Sequence, residues 1–366
     1  HRDLHLSIRR QRQMCIRDRQ KAAFILADKE LDPGFDHLKL HTLQVLRGNL
    51  QHWAYVIPAV KPELGVVNRL LGLGVEGDPY LCPRDSSSSA SIAYEDFEET
   101  VELLHLLVAI PDRWASDFTN AFGGMLRPEE MFSIPAYRDK IVWVGSDATP
   151  GVFGATDYTH AVYSREETTQ FWRALCAAAG EDDEELIVSI AELFGFATFL
   201  IKRGEAWQLM HVIYCGDNTN VVGWLITFQS TNRLVRYILR VVVFWLHHWK
   251  IGLSSHYVRT FNNNLNDYIT RAEAERVHAH MLARGYQKVD LLESWEVVMR
   301  RGYVHRALLW GQLGGESNRV ALQLSERRVH RNVPRVLDPS PLLDGQLAIS
   351  WNAVSTHFAD AWRRNG

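Results

Sequence analysis

Cysteine is scarce in this chain of 366 residues, and its four cysteines are isolated from one another. They are Cys15, Cys82, Cys176 and Cys215, with no Cys-x-x-Cys pair and no histidine at ligand spacing. This pattern indicates neither a disulfide framework nor a zinc site. It is typical of a reducing compartment, so we expect an intracellular protein, in the cytoplasm or the nucleus.

The chain also lacks an apolar run that is free of charge and long enough to cross a membrane. Its most apolar stretch, residues 234–253, contains Arg236, Arg240, Lys250 and two histidines. Membrane-spanning helices tolerate few such residues because charges in hydrocarbon are costly. We therefore expect no membrane partner, and the pattern of a secretory signal is not visible.

Neither sign of charge dominates the chain. Its 40 Lys and Arg residues against 43 Asp and Glu residues give a formal net charge of −3. The chain as a whole therefore does not attract polyanions, and any nucleic acid would have to be bound by local basic faces. A hydrophobic content of 46% with 23% charged residues is ordinary for a globular protein, and the length allows two domains.

What the chain does contain is a set of four acidic residues, each tied to a different predicted element. Asp147 ends an alternating apolar run within Lys140–Ala155, which predicts a strand that delivers a carboxylate to a sheet edge. Glu192 lies in an apolar helical run, and Asp217 closes a short apolar strand. Asp267 follows an Asn-rich turn that opens a helix. Together the four acids suggest a carboxylate cluster that binds metal.

Hydrophobic periodicity predicts alternating strands and helices around these acids, and hence a mixed sheet with helices on its faces. The predicted strands are Ile141–Val144, Ala161–Ser164, Val212–Cys215 and Ser255–Thr260. The predicted helices are Leu186–Lys202, Thr219–Phe228, Asn232–Trp249 and a last one that carries Asp267.

The order of the acids and their flanking residues resembles the ribonuclease H domain of retroelement reverse transcriptases, closest to the LTR and DIRS-like branch. The resemblance covers roughly residues 138–272. Two positions depart from the family pattern: Val152 replaces the first glycine of a turn, and no histidine stands in the loop just before Asp267. The matching stretches are Asp147–Thr149 with Gly154–Ala155, Glu192–Leu193, Asp217–Thr219 and Tyr257–Arg271, which contains Asn-x-x-x-Asp-x-x-x-Arg.

This resemblance implies an α/β fold, a ribonuclease H-like mixed sheet with flanking helices. It implies a metal-dependent endonuclease that cuts the RNA strand of an RNA/DNA hybrid with two Mg²⁺ or Mn²⁺ ions, one on each side of a bridging Asp147. The metal ligands and catalytic residues would be Asp147, Glu192, Asp217 and Asp267. The substrate-binding residues would be Asn218, Thr149 and Asn263.

The rest of the chain divides into four further segments in this interpretation. Residues 1–19 resemble translated sequencing-adapter sequence and are expected to lie outside the fold, and residues 20–137 form a helical region similar to the thumb and connection of reverse transcriptases. Residues 273–335 are a helical extension, and residues 336–366 are a linker with the start of a truncated further domain. The Tyr/Phe-x-Asp-Asp hairpin of a polymerase is absent from the sequence, so the implied partner is the missing polymerase portion of the same polyprotein.

Three alternatives remain open from the sequence. The first is a catalytically inactive ribonuclease H-like connection domain. The second is another nuclease on the same fold, such as an integrase or a resolvase. The third is a helical scaffold, which scattered acids would favour. Convergence of the carboxylates in space discriminates among them.

Overall fold

The computed structural model describes residues 25–26, 37–56, 60–109, 140–167, 184–249 and 251–291. These residues belong to two compact units. The first unit contains the described residues up to 109 together with 229–236, and the second contains 140–167, 184–228, 237–249 and 251–291. Three predicted parts lie outside the described residues: 1–19, the helical extension beyond 291, and 336–366.

The first unit is helical, as its periodicity predicts. Its helices are α1 (Leu40–Val56), α2 (Lys61–Leu71) and α3 (Ser88–Ala109). Pro62 stands in the first turn of α2, where its missing N–H has no intrahelical partner to lose. Ser88 to Ser91 form the first turn of α3, and the Ser87 hydroxyl accepts a hydrogen bond from the Ala90 N–H at 3.1 Å.

The second unit is built on a mixed sheet of six strands in the order β5-β4-β1-β2-β3-β6. Strands β1, β2 and β3 pair antiparallel, whereas β4 pairs parallel to β1, β5 parallel to β4 and β6 parallel to β3. The strands are β1 (Ile141–Thr149), β2 (Val152–Asp157), β3 (Val162–Glu167), β4 (His211–Gly216), β5 (Gly252–Tyr257) and β6 (Gln287–Lys288).

Helices connect these strands and cover the sheet. Among the described residues, none of the helices combines the length and apolar character that a membrane crossing requires. The helices are α4 (Glu184–Arg203), α5 (Thr219–Thr227), α6 (Arg233–His248), α7 (Asn264–Arg271) and α8 (Ala274–Ala283).

Helices α4 and α7 lie on opposite faces of the sheet. The Ser146 hydroxyl approaches the Glu192 carbonyl on α4, at 3.5 Å, while the next residue, Asp147, accepts a hydrogen bond from Thr270 on α7. Consecutive strand residues point to opposite faces, so the two helices sandwich the end of β1. This arrangement confirms the predicted mixed sheet flanked by helices.

Helix α7 packs closely on the sheet because glycines make room for it. A Cβ on Gly154 of β2 would lie 2.5 Å from Ile269 Cγ2, which no ordinary contact allows. A Cβ on Gly145 of β1 would collide with the amide of the buried Asn266. These two glycines therefore allow the face of α7 that carries Asn266 and Ile269 to approach β1 and β2 closely.

Four strand predictions were wrong in extent or missing. Strand β1 continues through Asp147 to Thr149, so the acid lies within the strand. Strand β2 (Val152–Asp157), which was not among the predicted strands, follows it across a tight hairpin. The last of the predicted strands ends at Tyr257, not Thr260. Strand β6 was not predicted, because two residues carry no detectable alternation.

Candidate metal centre

Three of the four predicted acids come together at one place. Asp147 lies near the carboxyl end of β1, Glu192 in the middle of α4, and Asp217 directly after β4. One side-chain oxygen from each residue lies within 4.8 Å of the others. We call this set of three acids, which could hold a metal ion, the metal centre.

The position of the metal centre follows from the strand order. Strands β1 and β4 are parallel neighbours, and the chain leaves them toward opposite sides of the sheet, to β2 and to β5. Open α/β sheets commonly bind ligands outside the carboxyl ends of the strands at such a switch point. Asp147 and Asp217 are the side chains that this topology places there.

Asp147 is only 9% exposed, and its environment opposes its negative charge. Burial is the main reason that its pKa is raised to about 6. The Thr270 hydroxyl donates a hydrogen bond to Asp147 Oδ2 at 2.6 Å, which acts in the opposite direction, and the charges of Asp217 and Asp267 add to the increase. Asp147 therefore binds a proton more tightly than an ordinary aspartate does.

Glu192 is buried more completely, with 2% of its surface exposed. The Tyr214 hydroxyl donates a hydrogen bond to Glu192 Oε1 at 2.7 Å and lies 2.8 Å from the Ser146 hydroxyl. Burial raises the pKa of Glu192 well above its usual range despite the Tyr214 hydrogen bond, and the Asp147 and Asp217 charges raise it further. The same burial raises the pKa of Tyr214, so this phenol stays a neutral donor.

The Asp217 carboxylate accepts a hydrogen bond from a side-chain amide. Asn263 Nδ2 donates to Asp217 Oδ1 at 2.9 Å and also reaches the Ser146 carbonyl at 3.4 Å. The Asn263 amide oxygen in turn accepts from Asn266 Nδ2 at 2.8 Å, and Asn266 accepts from the Thr156 hydroxyl at 2.7 Å. A buried polar chain thus runs from β2 to the metal centre.

Asp267, the fourth predicted acid, lies outside the group of three. Its carboxylate is 37% exposed and pairs with Arg271 Nε at 2.5 Å, one helical turn further on. It is still close enough for its charge to raise the pKa of Asp147. Its assignment as a metal ligand stays a prediction.

The three predicted substrate-binding residues have structural partners. Asn218 caps α5, because its side-chain oxygen accepts from the N–H groups of Asn220 and Val221. Thr149 ends β1 beside the hairpin. Asn263 is buried and reaches the metal centre through Asp217. Their contact with a substrate stays a prediction.

The sequence interpretation missed two hydrogen-bond donors of the metal centre, Thr270 and Tyr214. Thr270 follows Asp267 by three residues, a spacing that places both on one side of a helix, so a helical projection offers a signal for it. Tyr214 lies in an apolar strand and has no local feature that separates it from a core residue.

Comparison with known proteins identifies no relative. No protein-family model, curated protein or solved structure matches this chain. The function is therefore inferred from the carboxylates, their hydrogen-bond donors and the resemblance of their flanking residues.

Proposed function

We propose that the second unit is a metal-dependent nuclease that hydrolyses the RNA strand of RNA/DNA hybrids. The observation that carries the proposal is the convergence of Asp147, Glu192 and Asp217, whose oxygens lie within 4.8 Å of one another. Carboxylates brought together in a buried place repel one another and are stabilised by divalent cations.

The order of the elements that supply the carboxylates supports ribonuclease H-like chemistry over other metal-dependent reactions. In the family that the sequence resembles, the acids come from the first strand, the first helix, the end of the fourth strand and the last helix. Here Asp147 lies on β1, Glu192 on α4, Asp217 after β4 and Asp267 on α7. The six-stranded mixed sheet is compatible with that fold.

The donor set fits Mg²⁺ or Mn²⁺. All three side chains of the metal centre are carboxylates, the oxygen ligands that these hard cations prefer. One oxygen of each is held by a neutral donor, namely the Thr270 hydroxyl, the Tyr214 hydroxyl and the Asn263 amide. A carboxylate has a second oxygen and further lone pairs, so these hydrogen bonds orient the ligands without neutralising them.

Two bound cations would activate a water and stabilise the leaving oxygen of the phosphodiester. Asp147, Glu192 and Asp217 would hold them, with Asp267 as the expected fourth ligand. Because the pKa values of Asp147 and Glu192 are raised, these carboxyls must release protons when a cation binds. Cation affinity should therefore increase with pH.

The direct test uses the full chain and a labelled hybrid. A hybrid whose RNA and DNA strands carry different 5′ labels is incubated with Mg²⁺ or Mn²⁺, next to the labelled RNA alone and to labelled double-stranded DNA. We expect cleavage of the RNA strand of the hybrid. Cutting of the DNA strand, or equal cutting of double-stranded DNA, would contradict the proposal.

One observation keeps a second function open, a ribonuclease H-like domain that does not catalyse. Asp267 is paired with Arg271 and lies outside the metal centre. An inactive connection domain would leave the hybrid intact in both metals. Binding of Mn²⁺ without cleavage would favour this second function.

A further inference from the structure

The loop between β5 and α7 is fastened to the metal centre at both ends. At its start, the Val258 N–H donates to the Gly216 carbonyl at 2.9 Å, in the residue just before Asp217. At its end, Asn263 donates its amide N–H to Asp217 itself, also at 2.9 Å. The residues between these two anchors therefore lie beside one of the three carboxylates.

Between the anchors, the loop presents an aromatic ring and a guanidinium to solvent. Phe261 is 62% exposed, and the Arg259 Cζ atom lies 5.9 Å from the centre of its ring. A 3-10 turn over Thr260–Asn262 holds the pair, with the Asn262 N–H donating to the Arg259 carbonyl at 2.7 Å. Within the described residues, Arg259 forms no ion pair, so its charge is available to a ligand.

We propose that Arg259 and Phe261 bind an unpaired nucleotide of the substrate, next to the metal centre. The proposal rests on the proposed nuclease function and adds a substrate feature to it. A base would stack on the phenyl ring, as single-stranded nucleic acids stack on exposed aromatic side chains. The guanidinium would pair with the adjoining phosphate.

The chemistry of the loop fits an unpaired nucleotide better than a duplex or a protein partner. In a duplex the base faces are already stacked on one another, so a ring can stack only on an end or on an unpaired base. A protein interface needs a wide apolar core, whereas Thr260 and Asn262, the neighbours of Phe261, are polar and exposed. We therefore expect a preference for hybrids with a single-stranded extension.

The test measures binding of a fluorescein-labelled, single-stranded oligodeoxynucleotide to the full chain in Mg²⁺, by anisotropy. DNA is used because the proposed hydrolysis does not cut it. Phe261→Ala should weaken binding about tenfold, because stacking contributes roughly 1–3 kcal/mol per base. Phe261→Tyr should retain most of the affinity. Leu282→Ala, which removes a side chain of similar exposure (63%) from α8, is the matched control and should bind as the parent does.

The role of Arg259 has a separate signature in salt. Arg259→Ala should reduce the slope of log affinity against log salt by about 0.7, the value for one phosphate contact on a single strand. Phe261→Ala should leave that slope unchanged, because a phenyl ring carries no charge. An unchanged slope in Arg259→Ala would overturn the phosphate contact.

Other outcomes separate this contact from the nuclease proposal. Equal binding by the parent and Phe261→Ala, or no single-strand binding by the parent, would overturn the contact even if the hybrid is cleaved. Suppose that the parent does not cleave the hybrid, but Phe261→Ala binds the single strand more weakly than the parent does. This result would support the contact and count against the proposed hydrolysis. A duplex of the same length should bind both proteins alike.

Discussion

Two buried carboxylate sites lie on the same sheet, and their partners differ in charge. Asp157, at the end of β2, is fully buried and accepts a hydrogen bond from Trp207 Nε1 at 2.8 Å. Arg203 lies 3.3 Å from the same oxygen, and His160 Nδ1 lies 2.8 Å from it. Backbone N–H groups of Thr159 and His160 donate to the other oxygen at 3.1 and 2.9 Å.

The metal centre differs from the Asp157 site in the charge of its partners. It gathers three carboxylates, and among the described residues their hydrogen-bond donors are neutral: a hydroxyl, a phenol and amides. The buried charge of Asp157 is compensated by a cationic partner, Arg203. In the metal centre the donors are neutral and leave the negative charge of the carboxylates uncompensated, so a bound cation can compensate it.

The largest expected effect is a loss of hybrid cleavage when the metal centre is changed. Asp147→Asn should lower hybrid cleavage at least about a thousandfold, on the order of 4 kcal/mol, because it removes a ligand charge while its amide oxygen can still accept from Thr270. Single-turnover cleavage in Mg²⁺ measures this. Glu205→Gln, an exposed carboxylate in the turn after α4, is the control and should cleave as the parent does. Cleavage by Asp147→Asn at the parent rate would remove Asp147 from the catalytic residues.

The next effect is on stability at the other site. Asp157→Ala should destabilise the second unit by about 3 kcal/mol, because the Arg203 charge and the Trp207 N–H would lose a buried acceptor. Urea unfolding followed by tryptophan fluorescence measures the change, with Asp147→Asn in EDTA as the comparison. A loss below about 1 kcal/mol would show that Asp157 is not the structural anchor that its partners indicate.

A smaller effect follows from the raised pKa of Asp147. Its folded-state pKa of about 6 lies above the unfolded value of about 3.9. The stability linked to its proton is therefore present below about pH 4 and is lost as the pH rises through about 6. In EDTA the parent should lose on the order of 2 kcal/mol across this window, and Asp147→Asn, which cannot ionise, should avoid that loss.

Thermal melts in EDTA across this pH range check the difference between the two proteins. Glu192 remains in both, so its own raised pKa contributes to both curves. With Mn²⁺ at neutral pH, the parent should gain more stability than the variant, because the cation binds only the folded metal centre. Asp147→Asn could instead melt at a lower temperature than the parent without metal and gain as much stability from Mn²⁺ as the parent does. Asp147 would then be a structural residue, and its assignment as a metal ligand would be wrong.

Removal of one of the neutral hydrogen-bond donors should have a moderate effect on cation affinity. Thr270→Val removes the hydroxyl that donates to Asp147 and should weaken Mn²⁺ binding about tenfold, as changes to groups that orient metal ligands commonly do. Thr270→Ser should restore it. Thr198→Val is the matched control, since that buried hydroxyl bonds the Phe194 carbonyl in its own helix. Calorimetric titration with Mn²⁺ measures all three, and equal affinities would mean that Thr270 does not orient Asp147.

The smallest expected effect concerns Asp267. Its pair with Arg271 is a partly exposed pair one turn apart, worth about 0.3–0.5 kcal/mol, so Asp267→Asn should change the stability by no more than that. Its effect on Mn²⁺ affinity should be smaller than that of Asp147→Asn. Loss of Mn²⁺ binding to the same extent in both variants would instead show that Asp267 contributes as much to cation binding as Asp147 does.

Much of the sheet and the elements that carry the four acids were predictable from local patterns. Alternating apolar residues indicate β1 and β4, and a helical apolar stripe indicates α4, so the acids at their ends or centres could be named in advance. The hairpin to β2 was harder, because Val152–Asp157 is buried along most of its length and shows little alternation. Strand β6 offered two residues and no signal.

The sequence by itself determined which residue types can form the metal centre and on which elements they stand, since strand and helix periods are local properties of the chain. Only the tertiary structure decided which partners they have. Helix α7 is set against β1 and β2 by the contact of Ile269 with Gly154, and that contact turns Thr270 toward Asp147. Asp267, on the same helix, is left to pair with Arg271, because the rotation of a packed helix fixes all of its side chains at once.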